Sequence, residues 1–116
     1  MMQPAAKLTI FIGSDERRAH RRLYEAVMER LNEAHVAGAT VMKGSMGYGY
    51  NRRIHSTMNE ITMENLPLVI EVVDDEEKLE MVAIKIAEML GEHGLVQLNR
   101  TSMFKGALGE DERSAR

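Results

Sequence analysis

One stretch of the chain concentrates the residues whose types could do chemistry. Gly44, Gly47 and Gly49 are followed at once by Asn51, Arg52, Arg53 and His55, with Tyr48 and Tyr50 interleaved. Glycine admits positive φ and lets a ligand reach main-chain N–H groups closely. Arginine presents a planar fork that suits phosphate or carboxylate. A tyrosine ring can stack on a flat ligand. Backbone donors, two guanidiniums, an imidazole and two phenols in one segment could hold a small anionic molecule. The same glycines also serve ordinary turns and bulges, and adjacent arginines on a loop can be solvated charge alone. Gly44-x-x-Gly47-x-Gly49 is not the dinucleotide fingerprint, and no Gly-Lys-Ser/Thr follows, so the segment is not a Walker A loop.

Other constellations are weaker. The four histidines, His20, His35, His55 and His93, are far apart, and none forms an H-x-x-x-H pair. They read as surface or structural residues, with no metal site expected; His55, beside two arginines, is the one tied to the anionic segment. Asp74-Asp75-Glu76-Glu77 suits the positive end of a helix and reads as capping and solvation. Arg17, Arg18, Arg21 and Arg22 are expected on the outer side of a first helix, solvated or paired with Glu25 and Glu29, with docking to a partner or a membrane surface as the other reading.

The elements that must position these residues follow from periodicity. Leu8, Ile10 and Ile12 alternate along a first strand ended by Gly13. Ser14 is the expected N-cap of a helix with Asp15 and Glu16 in its first turn. Ala19, Leu23, Val27, Leu31 and Ala34 then recur at helical spacing, giving an amphipathic helix with its apolar face on a sheet. His35 to Gly38 is a turn. A second strand is expected from Gly38 to Gly44. Pro67 opens the apolar run Leu68-Val-Ile-Glu-Val-Val73, the central-strand candidate. Asp74 or Asp75 caps a second helix with the stripe Leu79, Val82, Ala83, Ile86 and Leu90, and Gly91 closes it. Gly94 to Leu98 is a last short strand. The order β-α-β-β-α-β predicts an α+β, ferredoxin-like sandwich, with a four-stranded antiparallel sheet and both helices on one face. Phe11 and Val69 make the other face apolar as well, which predicts burial in a closed oligomer. The connection from 45 to 66 is far longer than the roughly 2–5 residues of an ordinary hairpin, so it is expected to have a function or to extend as an arm. Residues 1–6 are expected to be a flexible N-terminus, 7–105 the domain, and 106–116 a disordered tail.

Bulk numbers narrow the class. A chain of 116 residues fits one domain able to bury a core without staples. With no cysteine there are no disulfides, thiolate metal sites or cysteine nucleophile. The net charge of −3 argues against a general nucleic-acid binder. No apolar run approaches the roughly 20 residues of a membrane span, and no signal peptide is visible, so a cytoplasmic protein is expected. The 10 methionines, against few aromatics, read as adaptable core packing.

Gly38-Ala-Thr-Val41, then Gly44, Gly47 and Gly49, Ile54-His55, Leu66-Pro67-Leu-Val-Ile-Glu71 and Asp74 resemble the pattern of the PII-like proteins called domain of unknown function 190. The first strand with Gly13 and Leu23-Tyr24-Glu25-Ala26 fit the same pattern, and the similarity spans roughly residues 7–100. The resemblance implies a PII-like fold, a homotrimer, and kinship with PII signalling proteins. In those, a long loop between the second and third strands docks a transporter, channel or enzyme, and adenine nucleotides bind between subunits at its base. Lys43-Gly44 leading into a glycine-rich basic loop is similar to the corresponding PII stretch. PII proteins also carry a second glycine-and-lysine phosphate loop after the second helix; here that region is Gly91-Glu92-His93-Gly94, with no lysine. Arg100 and Lys105 are the expected replacements.

The expected ligand site is therefore Lys43, Gly44, Gly47, Gly49, Arg52, Arg53, His55 and Arg100. It would take an adenine nucleotide or another anionic effector, with no resident cofactor and no catalytic residue. A protein-docking oligomer without a small ligand is the alternative. An acylphosphatase-like enzyme is the remote one: Asn99-Arg100 and Asn51-Arg52 fit its residue types but not its sequence context.

Overall fold

Alternation in the first strand has a direct consequence: Ala6, Leu8, Ile10 and Ile12 are buried, while Lys7 and Phe11 between them are not. The computed structural model describes residues 2–44, the backbone of 46–48 and 54–56, and 66–104. Strand β1 spans Met2–Gly13. A two-residue ladder follows, β2 (Arg17–Arg18) with β3 (Arg21–Arg22), and then helix α1, Leu23–Glu33. Strand β4 is Thr40–Lys43, and a small antiparallel pair, β5 (Met46–Tyr48) with β6 (Ile54–Ser56), rises beyond it. Strand β7 is Pro67–Asp74, α2 is Glu76–Leu90, a 3-10 turn covers Gly91–His93, and β8 runs Gly94–Phe104.

The main sheet has the order β4-β7-β1-β8 and every neighbouring pair is antiparallel. This is the split βαβ plan, the ferredoxin-like α+β fold. Leu23, Val27 and Leu31 of α1 and Leu79, Val82, Ile86 and Leu90 of α2 pack on the same sheet face, against Leu8, Ile10, Ile12, Leu68, Ile70 and Val72. Burying side chains of this size contributes about 1.5–3 kcal/mol each, and this one layer is the core.

Three expectations are corrected. The first helix does not start at Ser14: the Ser14 N–H donates to the Leu66 carbonyl, and Ala19 stands at φ 59° in the turn of the arginine ladder. Residues 17–22 offer only Ala19 as an apolar side chain, so a helix there would have no face to dock, and most helix stability in proteins comes from that docking. The arginines therefore lie on a hairpin and not on the outer side of a helix. Residues 2–6 are strand, since Met2 to Ala6 pair with Phe104 to Arg100, and Ala5 is fully buried. Beyond Ala6 the ladder with β7 has ended, so Pro4 lies where β1 has lost one neighbour, a position a strand proline tolerates. The last strand is correspondingly longer than Gly94 to Leu98. The tail expected from residue 106 lies outside the described residues.

Candidate ligand site

Chain direction sorts the molecule into two ends. Gly13, the arginine hairpin, the start of α1, Lys43, Gly44, Leu66, Pro67 and the turn after α2 lie at one end. The turn at His35–Ala37, Asp74, the start of α2 and Arg100 lie at the other. The segment from 45 to 65 leaves and re-enters at the first end, and its two feet are joined by main-chain bonds. The Gly44 N–H donates to the Pro67 carbonyl at 2.7 Å, and the Ser14 N–H donates to the Leu66 carbonyl at 2.7 Å. Gly44 must be glycine for packing alone, because a Cβ there would stand 2.7 Å from the Pro67 ring.

The expected site residues divide accordingly. Lys43 is exposed at the end of β4, and Gly44 adjoins it. Gly47 and His55 are directly opposite on the β5–β6 ladder, so the backbone brings those two together at the base of the arm. Gly49, Arg52 and Arg53 lie outside the described residues. Arg100 does not join them within one protomer. It pairs with Ala6 on the sheet, and its guanidinium meets Glu76 at 2.7 Å. Gly13, beside Pro67, is seven residues further along β1, about 20 Å away at strand rise. A charge alternating off the end of a strand looks adjacent to any loop in a linear reading; the register places it.

The other sheet face carries a feature that sequence parity foretold. Met42, Val69, Phe11 and Leu95 are consecutive neighbours across all four strands. Met42 is 45% exposed, Phe11 39% and Leu95 62%, an apolar row open to solvent in the single chain. It crosses the sheet at the end that bears the arm. Toward the other end the face turns polar, with Thr40, Glu71, Thr9 and Gln97 in the next row but one, and a Lys7–Glu71 ion pair at 2.7 Å.

Three features went unseen in the sequence. Asp74 is buried and holds the turn before β4, accepting the Ala37 N–H at 2.9 Å and the Asp75 N–H at 2.7 Å, with the Lys78 ammonium at 3.4 Å. Burial would raise its pKa, but these two N–H donors and Lys78 outweigh that and hold it below the ordinary 3.8. Asp75, not Asp74, is the N-cap residue of α2. Second, a shallow groove of about 210 Å³ lies between the helices, lined by Arg30, Glu33, Lys78, Met81, Val82 and Lys85, away from the arm. Third, the arginine hairpin is fastened to the C-terminal end of α2. Arg18 donates to the Met89 carbonyl at 3.0 Å, and the His93 ring lies 3.1 Å from Glu16. Among the described residues no group of three His, Cys, Asp or Glu could hold a metal ion, and no helix is long and apolar enough to cross a membrane.

Comparison with known proteins agrees with this architecture. The chain is 30% identical over 105 residues to the UPF0166 protein MJ1524 of Methanocaldococcus jannaschii, covering 90% of this chain and 96% of that one. It is 34% identical over 92 residues to a UPF0166 protein of Aquifex aeolicus, covering 78% and 85%. Among solved structures, it is similar to CPII, a nitrogen regulatory PII-like protein of Thiomonas intermedia K12 bound to ADP, AMP and bicarbonate. The TM-score is 0.64 at 20% identity, covering 90% of this chain and 99% of that one. A PII-like signaling protein of Thermus thermophilus gives 0.55 at 15% identity, covering 88% of each. The family model DUF190, an uncharacterized ACR, matches residues 5–103. A split βαβ sheet, an arm between its second and third long strands, and these matches together place the chain in the DUF190 family, with the fold of PII-like proteins.

Proposed function

We propose that the protein is a cytoplasmic PII-like regulator that acts as a homotrimer and binds a small anionic ligand, an adenine nucleotide, where subunits meet. It is a signalling protein and not an enzyme. Lys43, Gly44, Gly47, Gly49, Arg52, Arg53 and His55 form one wall of the site, and Arg100 reaches it from the neighbouring copy. Bound ligand re-aims the arm, which then docks a transporter, channel or enzyme. The observation that carries this reading is the apolar row Met42–Val69–Phe11–Leu95 at the arm-bearing end of the open sheet face. Covering that row with a second copy puts a subunit boundary beside the base of the arm, and only such a boundary can bring Arg100 to Gly44. The solved PII-like neighbour bound to ADP, AMP and bicarbonate supports the ligand class.

The test is thermal unfolding of the native oligomer against ATP, ADP, AMP, cyclic dinucleotides and bicarbonate. A ligand that binds the folded state at a hundredfold excess over its Kd stabilises it by about 2.7 kcal/mol. An adenine nucleotide is expected to raise Tm, and Arg52→Ala with Arg53→Ala to abolish the rise while leaving the ligand-free Tm unchanged. No shift with any compound, or a shift indifferent to both arginines, overturns the reading. A partner protein bound equally well with and without nucleotide identifies a docking module instead.

A further inference from the structure

The hairpin between β1 and α1 stands at the arm-bearing end, yet no role above uses it. Arg17 lies directly opposite Arg22, and Arg18 opposite Arg21. Like charges facing one another across a ladder repel, so this short ribbon is poorly suited to a purely structural task. Facing residues share a side, which gives the ribbon two distinct sides. On one, Arg18 is bonded to the Met89 carbonyl of α2 and Arg21 is paired with Glu29 of α1. That side is fastened to both helices. On the other, Tyr24 and Asp15 favour the charged form of Arg22, and the side chain of Arg17, exposed, makes no ion pair among the described residues. Both arginines of this second side are exposed.

The ribbon's position matters as much as its charge. Ser14 touches Leu66, the returning foot of the arm, and Arg17 is three residues further, within about 11 Å of chain. Glu16 meets His93, so the turn after α2 lies alongside. That turn offers an acid and an imidazole but no lysine, and Arg100 is at the far end of the protomer. Lys43 apart, the hairpin is what this chain itself supplies in fixed positive charge there among the described residues.

We infer that Arg17 and Arg22 form a clasp for the phosphate groups of the ligand. The inference rests on the reading of this end as an anionic-ligand site and adds which side chains take the phosphates. Facing residues of an antiparallel ladder have Cα atoms about 5 Å apart. Two planar forks at that spacing can grip one tetrahedral oxyanion from two sides, whereas a lone carboxylate is filled by a single fork. The ion also neutralises the repulsion that the ribbon carries when empty. Arg18 and Arg21 hold the ribbon in place and are positioning residues.

Isothermal titration of the native oligomer with tripolyphosphate, ADP and adenosine tests this, in the wild type and in Arg17→Gln/Arg22→Gln, with Arg17→Lys and circular dichroism as controls for folding. The wild type is expected to bind tripolyphosphate and ADP. The double variant should lose at least tenfold affinity for both, with adenosine binding unchanged, and Arg17→Lys should retain part of it. Equal ADP affinity in wild type and double variant overturns the clasp and leaves the nucleotide reading standing. Tripolyphosphate binding that needs the two arginines while ADP does not compete supports the clasp and overturns the nucleotide reading. A wild type that binds neither phosphate compound overturns both.

Discussion

Asp74 shows how much one buried carboxylate can settle. It ends β7, receives two main-chain N–H groups and leans on Lys78, whose ammonium also donates to the His35 carbonyl at 3.1 Å. It thereby joins the turn before β4 to the first turn of α2. Its folded pKa lies below the unfolded value, so its contribution is full above about pH 4 and is lost as pH falls through the folded pKa. Urea unfolding should therefore give a stability flat from neutral pH to about 5 that declines below about pH 4. Asp74→Asn should cost about 2 kcal/mol at pH 7, because one N–H and the ammonium lose their acceptor, and should flatten the acid limb. An unchanged pH profile in that variant would remove Asp74 from this role. That both precede a helix does not separate Asp74 from Asp75; strand parity does, burying Asp74 with Leu68, Ile70 and Val72 and leaving Asp75 exposed.

At the scale of elements, what was legible is what periodicity encodes. The two central strands β1 and β7, both helices and their common face follow from Leu8-Ile10-Ile12, Leu23-Val27-Leu31, Leu68-Ile70-Val72 and Leu79-Val82-Ile86-Leu90. What was not legible was set by partners remote in sequence. Ala5 and Ala6 carry no strand signal of their own, yet they are buried because β8 runs alongside them. The helix start was misplaced because Ser14-Asp15-Glu16 imitates a cap, while the Glu16 carbonyl accepts the Leu23 N–H at 2.8 Å and the real first turn begins there. Ala19 discriminates the two arrangements by sign. At φ 59° it favours glycine, so Ala19→Gly should be neutral or stabilising by up to about 1 kcal/mol. Were residue 19 inside a helix, the same change would cost about 1 kcal/mol. For the site, the basic segment and its glycines could be named from the sequence. The distance of Arg100 and the nearness of the arginine hairpin could not, since both depend on the register of β1 with β7 and β8.

For the whole molecule, the open sheet face governs. Phe11 lies in the middle of the apolar row, between Val69 and Leu95, so a charge there should disrupt the oligomer and spare the helical core. Light scattering is expected to report a trimer for the wild type and a monomer for Phe11→Glu, with helical circular dichroism retained. A trimeric Phe11→Glu would mean that copies meet elsewhere. The two main-chain bonds at Gly44 and Ser14 carry a different consequence. They staple the outgoing and returning chain to the platform independently of whatever lies between them. Residues 45–65 are thus an interchangeable part: excised and replaced by a short turn, they should leave a platform that still folds and assembles, and descendants of such a platform can trade one arm for another without renegotiating the core.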